Sequence, residues 1–275
     1  MTPSAQRVRS HYEASIADHA ALLDTVTRAL DALGSPLTAE QLAPFDQFHV
    51  GGLAMTEELA RRLNPHAGTR VLDAGSGLGG PSRHLAQAFG CQVTGVDLSP
   101  AYVSIAELLA GRVGLQDSVH YRVGSITDLP FEAGCFDLVW TLHVVMNVAD
   151  RNALFREFRR MLKPGGRLAF YDPISADGAP DVHYPVPWAT DGTTSTLLTE
   201  SETRASLEQA QLQVVAWEDV TAMATRLLEQ QQAAPRPSLH LGMVLGPRMA
   251  EMVQNFARNL TEGRLRLAMG ICVAA

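Results

Sequence analysis

The stretch Val71-Leu72-Asp73-Ala74-Gly75-Ser76-Gly77-Leu78-Gly79-Gly80-Pro81 constrains the fold more than any other part of the chain. It reads as a buried strand, a glycine turn and the start of a helix. Glycines at such a turn let the backbone adopt φ > 0 and let a ligand approach the main chain closely. The turn alone is ambiguous. Gly75, Gly77 and Gly80 satisfy G-x-G-x-x-G, while Asp73, Gly75, Gly77 and Gly79 satisfy D-x-G-x-G-x-G.

Two acids narrow the reading. Asp73 ends the strand inside an apolar run, two residues before the first glycine. A pyrophosphate has no use for an anion there, but the ammonium of a methionine moiety does. Cys91-Gln92-Val93-Thr94-Gly95-Val96-Asp97 is a second strand that also ends in an acid. An acid at that place accepts hydrogen bonds from ribose hydroxyls. NAD enzymes use the same device, so Asp97 indicates a nucleoside without choosing one.

The remaining chain alternates. Strands are predicted over 69–74, 91–97, 118–122, 136–143, 166–172, 212–217 and 263–273. Helices are predicted over 80–89, 100–113, 150–162, 199–210, 220–231 and 247–260. Such alternation implies a doubly wound, mostly parallel seven-stranded α/β sheet with helices on both faces. Ligands in these sheets lie beyond the carboxyl ends of the strands. Asp73, Asp97, His143 and Asp172 all fall at predicted carboxyl ends.

Apolar positions at helical spacing run through residues 4–33, and Thr38 with Gln41 forms a capping-box pattern. Residues 1–66 are therefore expected to form a helical lid, with Tyr12 as its contact to a ligand; a packed appendage is the plainer alternative. Residues 67–275 are expected to form the sheet domain. An aperiodic segment at about 173–198 reads as a wall of a substrate pocket, with His183, Tyr184 and Trp188 as candidate contacts. Arg83 and His84, on the helix after the glycine turn, are expected to face solvent.

The blocks VLDAGSGLGGPSRHLA, VTGVDLSP, GSITDLPFEAGCFDLVW and MLKPGGRLAFYD, in this order, resemble class I S-adenosylmethionine-dependent methyltransferases. The flanks FDQFHVGG, PVPWA and RNLTEGRLRL resemble a subgroup related to sarcosine/dimethylglycine N-methyltransferases and to tocopherol-type and sugar O-methyltransferases. The resemblance implies a Rossmann-like methyltransferase fold and S-adenosylmethionine as cofactor. It implies that Gly75, Ser76 and Gly77 underlie the methionine portion, with Asp73 toward the ammonium. It implies that Asp97 takes the ribose, Leu98 covers the adenine, and Ser125 and Ile126 read its edge. Most relatives carry an acid where Ser125 stands. His49 and Gly51 match a histidine-glycine turn beside the methionine end.

Methyl transfer needs alignment of nucleophile, carbon and sulfur, and a base only where the nucleophile must lose a proton. His143 and Asp172 are the two candidate groups: His143 oriented by the carboxylate of Asp172 is a workable base, and a histidine that only positions substrate is the plainer alternative. In related enzymes the histidine stands a few positions away, where Asn147 lies here.

Composition excludes several classes. Net charge is −7 and no basic block occurs, so neither nucleic acid nor an anionic membrane surface is an expected partner. Three cysteines without paired spacing suit a reduced, cytoplasmic protein. No Asp/His set has metal-ligand spacing, so no metal is expected. The expected function is methylation of an oxygen or nitrogen of a small metabolite or natural product. The alternatives are C-methylation or a non-methylating cyclisation on the same scaffold, and an NAD-dependent oxidoreductase. A homodimer is compatible with the chain, though nothing in it demonstrates one.

Overall fold

The computed structural model describes residues 2–14, 16, 18–235 and 237–275. Four helices come first: α1 (Pro3–Glu13), α2 (His19–Leu33), α3 (Ala39–Asp46) and α4 (Gly52–Leu63). The helical segment predicted from residue 4 to residue 33 is thus two helices. Asp18 starts the second, its carboxylate accepting the N–H groups of Ala20 and Ala21, which is what an N-cap acid does. The Thr38–Gln41 capping box forms in full.

The sheet domain alternates β1 (Arg70–Ala74), α5 (Gly80–Phe89), β2 (Gln92–Asp97), α6 (Pro100–Arg112), β3 (Val119–Val123), β4 (Phe136–Leu142), α7 (Arg151–Met161) and β5 (Leu162–Ser175). It continues with α8 (Glu200–Gln209), β6 (Leu212–Asp219), α9 (Thr221–Ala233), α10 (Gly242–Leu245), α11 (Met249–Thr261) and β7 (Leu265–Ala274). Strand order is β3-β2-β1-β4-β5-β7-β6. Every pairing is parallel except those of β7, which runs antiparallel to β5 and β6. The chain moves outward from β1 to β3, then crosses back to place β4 on the other side of β1. That reversal opens a crevice beyond the carboxyl ends of β1 and β4, where α/β sheets take their ligands.

Side-chain alternation along each strand fills both faces. Val71, Val93, Leu138, Trp140 and Ala169 pack to one face with Leu59, Leu85 and Phe256. Leu72, Val96, Val139, Leu168 and Phe170 pack to the other with Phe155, Phe158 and Leu207. A third cluster joins Val26 and Leu30 of α2, Leu42 and Phe45 of α3, Leu78 of the glycine turn, and Tyr102, Ile105 and Leu109 of α6. This cluster sets the N-terminal helices beside the crevice.

Candidate active site

The glycine turn leaves β1 with φ of 81° at Gly75 and 75° at Gly79. A side chain at Gly75 would overlap Val144, and one at Gly79 would overlap the Tyr121 ring. Close approach and handedness therefore both require glycine there. Gly75 N and Ser76 N donate to the Val96 carbonyl at 2.8 and 3.1 Å, tying the turn to β2. Asp97, at the end of β2, completes the tie. Its Oδ2 accepts the N–H of Gly77 and its Oδ1 that of Ser99, each at 2.9 Å.

These elements border a cavity of about 510 Å³, within the range of small-molecule sites. Asp73, Gly75, Ser76, Gly77, Asp97, Leu98, Ser125 and Ile126 all line it. So do His49, His143, Tyr12 and Trp188. Gly51 is not among its walls; it caps the start of α4 with φ of 78°. Asp172 lies buried behind the wall. His183 lies outside, its imidazole on Glu262 at 2.8 Å and its backbone N–H donating to Asn259. Tyr184 packs against the core rather than bordering the cavity.

Burial governs the charges. The carboxyl of Asp73 is pushed up to about 7 by loss of water, although it accepts the Ser82 hydroxyl at 2.5 Å. Asp97 is raised for the same reason, and the N–H groups of Ser99 and Gly77 work against that rise. His49 falls to about 4 through burial, with Nε2 placed 2.9 Å from the Gly52 carbonyl. His143 is held well below its ordinary value by burial first and by His49 second, so its imidazole is neutral near pH 7.

The pairing expected between His143 and Asp172 is absent. Asp172 Oδ1 instead accepts the N–H groups of Val144 and Val145 at 2.8 and 3.1 Å. His143 has φ of 54°, a left-handed turn at the end of β4. This turn presents the next two N–H groups to the carboxylate, which satisfies them and leaves the imidazole unbonded. Asp172 Oδ2 and His143 Nε2 are both buried without a hydrogen-bond partner. The His143 ring packs on Tyr171, with centroids 4.7 Å apart. Burial also pushes the Asp172 carboxyl up to about 7.

Another part of the wall is knitted together by Asn147, which lies in a short 3-10 turn (Val145–Asn147) that sequence patterning did not reveal. Its Oδ1 accepts the Tyr12 hydroxyl at 2.9 Å. Its Nδ2 donates to the carbonyls of Trp188 and Thr194 at 3.0 and 2.8 Å. One side chain thus joins α1, the end of β4 and the long segment after β5. The Trp188 indole N–H donates to Ser195 at 2.9 Å. His11 Nε2 sits 3.1 Å from the Pro187 carbonyl.

Arg83 corrects the sequence expectation that it faces solvent. It is 4% exposed, and its guanidinium donates to Asp46 at 2.7 Å. Helix α5 is covered by α3 on that side, so a residue one turn into α5 meets the end of α3. Asp46 lines the cavity and carries a second, unpartnered oxygen. Among the described residues no group of acids, histidines and cysteines could hold a metal, and Cys91, Cys135 and Cys272 are unpaired.

Residues 72–170 match the family described as methyltransferase domain. The chain is 35% identical over 137 residues to methyltransferase GfsG of Streptomyces halstedii, covering 50% of this chain and 49% of that protein. It is 34% identical over 123 residues to the glycine/sarcosine/dimethylglycine N-methyltransferase of Actinopolyspora halophila, covering 45% of this chain and 22% of that protein. The chain thus spans about half or less of the length of these relatives. A geranyl diphosphate methyltransferase solved with geranyl diphosphate and sinefungin superposes with a TM-score of 0.67 and 25% identity, over 81% of this chain and 77% of that one. The sheet and its flanking helices are those of the S-adenosylmethionine-dependent methyltransferase fold. No described helix is long and apolar enough to cross a membrane.

Proposed function

From a chain whose residues 72–170 constitute a methyltransferase domain, we propose an S-adenosylmethionine-dependent methyltransferase acting on an oxygen or nitrogen of a small metabolite or natural product. One observation carries this reading: the carboxylates that end β1 and β2 and the glycine turn between them face a single cavity.

The residues present suit the cofactor. Each Asp97 oxygen spends one lone pair on a backbone N–H and keeps another for a ribose hydroxyl. Leu98 and Ile126 offer apolar cover for an adenine. The Ser76 hydroxyl is buried without a partner on the same wall. Asp73 is a carboxyl that burial pushes up to about 7, and a neighbouring ammonium would favour its anion. When bound, the cofactor supplies a methyl group already activated by a positive sulfur.

The chain's own work is then orientation. Asp172 is a positioning residue, holding the Val144 and Val145 N–H groups so that the turn presents His143 to the cavity. His143, neutral and unbonded, is the group available to accept a hydrogen bond from the acceptor. Residues 1–66 act as a cap, a reading supported by Val8 and Tyr12 of α1 on the cavity wall. The three unpaired cysteines support a reducing, cytoplasmic setting.

Incubation with methyl-labelled S-adenosylmethionine and a panel of small acceptors tests the reading. Label on any acceptor is the expected result. Cofactor that binds yet never gives up its label would contradict a transferase and favour a cyclase on this scaffold.

A further inference from the structure

The cavity wall away from the glycine turn is apolar and already satisfied within itself. Val8, Leu142, Met146, Pro187 and Trp188 form its apolar part. Four of its polar side chains are committed: the Tyr12 hydroxyl to Asn147, the Asn147 amide to the Trp188 and Thr194 carbonyls, the Trp188 indole to Ser195, and His49 to the Gly52 carbonyl. The His143 ring on this wall makes no hydrogen bond, and its Nε2 is buried without a partner.

No fixed positive charge faces the cavity. Among its described lining residues none is lysine or arginine. Two guanidiniums are buried nearby but neither lines the cavity: Arg83 pairs with Asp46, and Arg151 donates to the carbonyls of Val145 and Thr196. His49 and His143 are both neutral. Four carboxylates do line the cavity: Asp46, Asp73, Asp97 and Asp150. An anionic acceptor would therefore lose its water and meet no cationic side chain on this wall. A cationic amine fares little better on this wall. Asp46 is paired with Arg83, Asp150 caps α7 through the Ala153 N–H, and Asp73 and Asp97 belong to the cofactor side.

We infer that the acceptor is an uncharged, mainly hydrocarbon molecule carrying a hydroxyl group, which donates its hydrogen bond to the His143 ring. Phosphorylated and carboxylated acceptors are excluded. The inference rests on the methyltransferase reading for what occupies the glycine-turn side of the same cavity.

Three compounds with one hydrocarbon test it: geraniol, geranyl diphosphate and geranylamine. Each is titrated calorimetrically into the full chain saturated with S-adenosylhomocysteine, at low and high salt. Geraniol is expected to bind at least about tenfold more tightly than either charged compound, with an affinity insensitive to salt. His143→Leu should weaken geraniol about three- to tenfold, the worth of one neutral hydrogen bond. Val8→Lys, which adds a cation on α1, should shift the preference toward the diphosphate. Tighter binding of the diphosphate or the amine to the unmodified chain would overturn the inference, and so would failure of geraniol to bind. Failure of S-adenosylhomocysteine itself to bind counts against the cofactor reading instead, and geraniol titrated into the cofactor-free chain then still decides the acceptor class.

Discussion

Asp97 Oδ2 accepts the backbone N–H of Gly77 at 2.9 Å, so the acid ending one strand braces the turn that follows its neighbour. The two features that point to a nucleoside are thus one mechanical unit. Asp97→Ala leaves the Gly77 and Ser99 N–H groups short of an acceptor as well as removing the proposed ribose contact. Stability should fall by roughly 1–3 kcal/mol, read by urea unfolding. Affinity for S-adenosylhomocysteine should fall about 10- to 100-fold, the worth of one hydrogen bond to a charged group.

Asp73 makes the pH dependence specific. Its folded value of about 7 lies above its ordinary 3.8. Between those values the folded chain holds a proton that the unfolded chain has lost. The stability it contributes is therefore complete below about 4 and is lost as pH rises through about 7. Measured against Asp73→Asn, the unliganded wild type should lose stability on the order of a few kcal/mol across that window. Cofactor affinity should run the other way, rising with pH to a plateau above about 7, because the ammonium prefers the ionised acid. Calorimetry in buffers of different ionisation enthalpy would register proton release on binding below pH 7, and Asp73→Asn should abolish it.

Asp46 and Arg83 form a buried ion pair, with side chains 4% and 5% exposed. Removing one partner strands the other. Asp46→Ala should destabilise the chain by about 3–5 kcal/mol, while the double variant Asp46→Asn/Arg83→Met should recover much of that. A cost for Asp46→Ala below about 1 kcal/mol in denaturant unfolding would show that Arg83 finds other partners.

Gly75→Ala should cost about 1–2 kcal/mol for the left-handed backbone alone. The new methyl group would also press on Val144. Because Val144 follows His143, the displacement should reach the acceptor wall. We expect weaker binding of both cofactor and acceptor at the expense of only a few degrees in Tm.

Much of this was legible from the chain. Hydrophobic alternation outlined the sheet, and the acids at strand ends marked its crevice, because both follow from local periodicity and from where parallel strands end. Other features depend on which elements meet. Arg83 looked solvent-facing, since helical spacing cannot reveal that α3 covers that side of α5. The expected His143–Asp172 contact failed because the positive φ at His143 turns backbone N–H groups toward the carboxylate, and histidine does not announce such a turn. The three-way junction at Asn147 brings together residues 135 apart, Tyr12 and Asn147 themselves, and no local pattern encodes that distance. The short helix α10, four residues long, is below the length at which periodicity can be read.

In the function proposed, the crevice binds an adenosyl-methionine ligand through Asp73, Asp97 and the glycine turn. The most direct test of this binding is a calorimetric titration of the wild-type chain with S-adenosylhomocysteine and, separately, with NADH. The chain should show one site for S-adenosylhomocysteine, lost or severely weakened in Asp97→Ala, and give no heat with NADH. Saturable binding of NADH, with none of S-adenosylhomocysteine, would contradict it.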